Sequence, residues 1–107
     1  MASGRLAKSN PSADTITAVY TCPAGFYSVV TVALLNYTDS ATTFKLSIVE
    51  TGNNNPVVSD YIEYDSVLSS KNVIERTGLV LGAGQKIVVR SPTSGVVVNV
   101  YGIETQA

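Results

Sequence analysis

The residues that could do chemistry are few, and three of them lie close together: Asp60, Glu63 and Asp65. In an extended segment Glu63 and Asp65 are two residues apart, which puts both carboxylates on one face about 7 Å from each other. Paired carboxylates could serve glycoside hydrolysis or hold a calcium ion. The surroundings speak against both, because the chain has no Trp to stack a sugar ring and the spacing fits no calcium loop. A solvated or inter-subunit charged face is the plainer reading of the cluster.

The remaining candidates are weaker. The chain has no His, which removes His-based triads, Cys-His dyads and most zinc sites. The single cysteine, Cys22, cannot close an internal disulfide. Its place before Pro23, at the end of a strand, suits a small buried apolar residue better than a nucleophile. Gly78, Gly82 and Gly84 form no phosphate loop, since no Lys-Ser/Thr pair follows them. Arg76, Lys86 and Arg90 fall on successive predicted strands, but three cations interspersed with Glu75 make a poor nucleic-acid footprint. Ion pairs across strands or subunits are expected of them instead. The expectation is a protein that is not an enzyme and takes no metal or cofactor.

The elements that would position these residues are strands. Runs rich in β-branched residues, which fit a pleated, half-buried surface, are predicted at 15–21, 26–36, 42–50, 61–65, 73–81, 85–91 and 96–104. In the first, the period of two places Ile16, Ala18 and Tyr20 on one face. The 26–36 run is apolar on both faces and is therefore expected to be central. The 42–50 run alternates, with Phe44, Leu46 and Ile48 inward and Thr43, Lys45 and Ser47 outward. Pro92-Thr93-Ser94-Gly95 has hairpin-loop chemistry, so residues 73–104 are expected to form a three-stranded block and to act as a scaffold. Short, regularly spaced strands without an amphipathic helix predict an all-β, antiparallel β-sandwich of about seven to eight strands. A jelly-roll-like connection is compatible with this pattern.

Length and charge set the outer bounds. With 107 residues, the chain is sized for one domain with a real core. Its net charge of −1 gives no field to attract nucleic acid or anionic lipid, so neither is expected as a partner. Charged residues make up only 14%, against about 25% in ordinary domains. That leaves sheet edges weakly protected and predicts a subunit largely covered by neighbours. No apolar run approaches the ~18 residues that span a bilayer, and the N-terminus lacks the apolar stretch of a secretory signal. The chain is therefore expected to be made in a cytoplasm and to stay soluble or assemble there.

Residues 1–14 are small and polar, with too little apolar content to fold alone. They are expected to be an extended N-terminal arm outside the 15–107 domain, lying along a neighbouring subunit. In that arrangement Leu6 would be the apolar anchor, and Arg5 and Lys8 would meet carboxylates or carbonyls of the neighbour.

Several stretches, in their order, carry a resemblance. They are Tyr61-Ile62-Glu63-Tyr64-Asp65, Glu75-Arg76-Thr77-Gly78-Leu79-Val80-Leu81, Gly84-Gln85-Lys86, Val88-Val89-Arg90-Ser91 and Val100-Tyr101-Gly102-Ile103-Glu104. Together they resemble small all-β virion structural proteins of tailed bacteriophages. Val19-Tyr20-Thr21-Cys22-Pro23-Ala24-Gly25 is similar to the strand-then-Pro turn that opens those domains. The likeness spans roughly residues 15–104. It implies a β-sandwich built into a virion, with no catalytic residues to carry over. The first expectation is a capsid decoration (cement) protein, a homo-oligomer and specifically a trimer, seated where subunits of the major capsid protein meet. Avidity over many copies would then replace tight single sites. The alternative is a tail or tail-fibre domain that binds a host-surface glycan or protein, with Tyr37, Tyr61 and Tyr64 as its aromatic platform.

Overall fold

A computed structural model describes residues 3–107; the first two positions of the predicted arm, Met1 and Ala2, lie outside the described residues. The strands are β1 Ser3–Ser9, β2 Thr17–Thr21, β3 Phe26–Asn36, β4 Thr42–Val49, β5 Tyr61–Leu68, β6 Val73–Leu81, β7 Lys86–Arg90 and β8 Val96–Gln106. A single 3-10 turn, Val58–Asp60, leads into β5. The strands form two four-stranded antiparallel sheets, ordered β1-β8-β3-β6 and β2-β7-β4-β5. That order, in which successive strands alternate between sheets except at β4–β5, is a jelly roll. It is the all-β sandwich that the spacing of strands predicts.

The core lies between the inward faces. Val30, Val32 and Leu34 of β3, with Val98 and Val100 of β8, meet Phe44 and Leu46 of β4 and Ile87 and Val89 of β7. These side chains are essentially without solvent exposure. β3 is an interior strand, paired along its length with β8 and with β6. Its second apolar face is not buried, however: Val29 and Leu35 point outward and remain exposed. At Gly102 of β8 the two strands run so close that a Cβ would strike the Val29 carbonyl and the Val30 Cα.

Three expectations are corrected. Residues 73–104 are not a three-stranded block, because β6 and β8 belong to one sheet and β7 to the other. Pro92-Thr93-Ser94-Gly95 is an arch between sheets rather than a hairpin; a short Pro/Gly loop reverses the chain equally well in either setting. On β2, a register shift between Ala18 and Tyr20 interrupts the alternation. Tyr20 is buried, whereas Ile16 and Ala18 are exposed, as expected when a bulge re-aims side chains.

A further correction concerns the arm. Ser3–Ser9 is β1, an edge strand of the chain's own sheet, antiparallel to β8 with Ser3 opposite Ile103 and Ser9 opposite Val98. A register shift between Arg5 and Ala7 lets the adjacent Leu6 and Ala7 both pack against the core. Backbone pairing to a buried neighbouring strand therefore supplies what the sparse apolar content does not. Beyond β1, Asp14 N donates to Ser91 O at 2.7 Å, tying the following segment to the end of β7.

In β4, Phe44 and Leu46 face inward as expected and Ile48 packs against the core's rim. Ser47 points outward yet is buried, as are Val49 and Val88. The loop after β4 folds back on this side: Lys86 Nζ donates to Asn53 O at 2.9 Å and to Asn54 Oδ1 at 2.7 Å.

Two outcomes are expected in denaturant titrations. Phe44→Ala should cost about 3–5 kcal/mol, since it empties a fully enclosed aromatic position. Val67→Ala, 64% exposed on β5, should cost less than about 0.5 kcal/mol. Deleting residues 3–9 should lower the melting temperature clearly, by stripping β8 of its edge partner; an unchanged melting temperature would mean β1 does not pair in the isolated subunit.

Candidate functional site

The three clustered carboxylates separate in space. Asp65 has a positive φ of 51°, and the β4–β5 register shifts between the pairs Phe44–Ser66 and Leu46–Glu63. This bulge reverses the alternation, so Glu63 faces into the sandwich and Asp65 faces out; the one-face pairing expected of them is corrected. Glu63 accepts hydrogen bonds from Ser66 Oγ and from Arg76 Nε of β6, in the opposite sheet. The Ser66 bond, then the bond from the Arg76 guanidinium, hold its carboxyl below the usual range. Asp60 accepts from Val57 N at 2.9 Å and closes the 3-10 turn. Nor do Arg76, Lys86 and Arg90 cluster, since each serves a different partner. Among the described residues, no group of three or more acidic or thiol side chains is arranged to hold a metal ion.

A second inward pair sits toward the opposite edge. Tyr20 of β2 donates its hydroxyl to Glu104 Oε2 of β8 at 2.6 Å. Burial, reinforced by that carboxylate, raises the phenol far above its ordinary value. Beside Glu104 in the ladder, Ser28 is fully buried, and its hydroxyl finds no hydrogen-bond partner among the described residues.

The outward face of the β2-β7-β4-β5 sheet carries a polar cleft of about 570 Å³. Lys45 and Arg90 are neighbours across β4 and β7, and each is matched by a carboxylate. Lys45 pairs with Asp65, and Arg90 Nη2 lies 2.9 Å from Asp14 Oδ1. The Asp65 carboxylate that accepts its hydrogen bond holds the Lys45 ammonium above the usual amine range. Lys45 Nζ also stands 4.7 Å from the centre of the Tyr64 ring, and Tyr64 meets Tyr61 edge-on with centroids 4.9 Å apart. The cleft is thus electrically balanced, with donors, acceptors and aromatic edges all presented. It suits a neutral polar ligand better than an ion.

Of the residues singled out in the sequence, Tyr61 and Tyr64 come together here. Tyr37 does not join them; it lies in the turn after β3, where its N–H donates to Gly95 O at 3.2 Å. Arg5, Leu6 and Lys8 are on β1, Leu6 inward and the two cations on the outward face of the other sheet. Asp14 and Arg90 carried no local signal for this cleft, being 76 residues apart in the chain.

That other outward face carries exposed apolar residues on either side of a polar row, Lys8, Asn99 and Glu75. Val29, Val80 and Ile103 line up across β3, β6 and β8, with Tyr101 in the next row, and Leu35 and Val73 at the far end. All six are exposed, Val80 to 60%.

The Glu63 pair predicts a pH dependence. Because the folded-state value is depressed, its stabilisation is present above the unfolded-state value near 4.3 and is lost as pH falls through the folded one. Glu63→Gln should cost about 1–3 kcal/mol at neutral pH. The two proteins should converge as the pH falls below the depressed folded-state value; urea midpoints from neutral to acid pH test it, and a constant gap would overturn the assignment.

No protein family, curated protein or solved structure matches the chain.

Proposed function

We propose that the chain is a structural component of a tailed-bacteriophage virion, a capsid decoration protein that binds and stabilises the assembled shell. The reading takes the virion from the resemblance carried by residues 15–104. The observation that supports an assembly role is the outward apolar face of the β1-β8-β3-β6 sheet. Single exposed apolar residues are ordinary on a monomer, whereas several grouped on one sheet face mark an interaction surface. A jelly roll is a common frame for capsid and lectin domains alike, so the fold alone does not choose between roles.

A tail or tail-fibre domain that binds a host-surface glycan is the second reading. The balanced cleft with Tyr61 and Tyr64 favours it, although Lys45 already occupies one face of the Tyr64 ring. Purified virions separate the two. Many copies over the shell in electron micrographs support decoration, and a few copies at the tail support the second reading. Particles that lack the chain would overturn both.

A further inference from the structure

Nearly every charged side chain of the described residues is engaged. Lys45, Lys71, Arg76 and Arg90 are in salt bridges. Lys86, Glu50, Asp60 and Glu104 have hydrogen-bond partners. The exceptions are Arg5, Lys8 and Glu75, which make no salt bridge or side-chain hydrogen bond among the described residues. All three lie on the outward apolar face, and their placement is ordered. Lys8 is opposite Asn99, Asn99 opposite Ala33, and Ala33 opposite Glu75. One cross-strand row therefore begins with a cation on the β1 edge and ends with a carboxylate on the β6 edge. Three strand spacings, about 14 Å, keep the two charges from meeting within one subunit.

From this row we infer that the face pairs with the same face of a second copy, about a two-fold axis that runs along the strands between β8 and β3. Such an axis reverses the strand order while keeping each row level. Lys8 then stands opposite Glu75 of the second copy, and the pair forms twice. Ile103 meets Val29 of the second copy, and Val97 meets Leu35, so the apolar rows also close on themselves. Face-to-face sheets lie about 10 Å apart, a gap that a lysine and a glutamate reaching from opposite sides can span. The other in-plane axis, across the strands, exchanges the two middle rows and sets Arg5 against Lys8 of the second copy. The charges thus select one orientation. An interface of this kind is isologous, which a three-fold arrangement of the same face could not be. The inference rests on the apolar face being an assembly surface and names the subunit that covers it.

The test is sedimentation equilibrium of the full chain, with circular dichroism to confirm folding of each variant. The expected result is a concentration-dependent dimer. Lys8→Glu and Glu75→Lys should each weaken it about tenfold or more, because like charges meet at two symmetric places. The double exchange should restore it. Val80→Glu should abolish dimerisation, while Val67→Glu, similarly exposed on the other sheet, should not. A wild-type monomer at about 100 µM, or a trimer indifferent to the exchanges, would overturn the inference. A monomer whose incorporation into virions is lost in Val80→Glu would also overturn it, assigning the face to a different virion subunit and leaving the virion reading standing.

Discussion

The contact between Glu63 of β5 and Arg76 of β6 ties the two sheets of this sandwich together at one edge of the apolar core. These are the outermost strands on one side, where the Arg76 side chain is still partly exposed to solvent. A carboxylate that is largely enclosed, with a guanidinium and a hydroxyl both donating to it, closes that side without leaving an unpaired charge. Tyr20 and Glu104 do the corresponding work toward the other side. Both ties cross from one sheet to the other, so they oppose sliding of the layers, which non-directional apolar contacts resist less well.

That contact also explains the local irregularity of β5. A regular strand would put Glu63 and Asp65 on the same side, with one of the charges wasted or both misplaced. The left-handed conformation at Asp65 inserts the extra residue that separates them. A single strand thereby contributes Glu63 to the inter-sheet tie and Tyr64 and Asp65 to the outward cleft. The cleft inherits its rigidity from the core beneath: Lys45, which it shares with Asp65 and Tyr64, is flanked in sequence by the fully buried Phe44 and Leu46.

What could be read from the sequence follows the same division. Where a strand's own residues decide its state, as in Phe26–Asn36 and Val73–Leu81, the β-branched runs mark its ends as observed. Where a partner decides, the local pattern is silent. Ser3–Ser9 has too little apolar content to announce a strand, and it becomes one because β8 offers an unpaired edge. The bulges at Ala18/Tyr20 and at Asp65 invert the faces expected of Ile16 and Asp65, since alternation counts residues and cannot count insertions. Pro92-Thr93-Ser94-Gly95 fits an arch and a hairpin equally, and only the sheet assignment of β7 and β8 separates them. Of the candidate cleft, the tyrosines were visible as aromatic residues on a short strand. Asp14 and Arg90 are brought together only by the fold.

The pairing of β1 with β8 joins the first strand of the chain to the last. During synthesis at about 5–20 residues per second, β1 leaves the ribosome with its hydrogen-bonding partner still untranslated for on the order of ten seconds. For that interval its backbone is an open template for any other strand in the cell. The composition of this segment is suited to the wait: Ser, Gly, Arg, Ala and Lys with one leucine give little drive toward misplaced pairing. Pairing of β1 therefore waits on translation of β8, and its timing is set by that strand rather than by the segment itself.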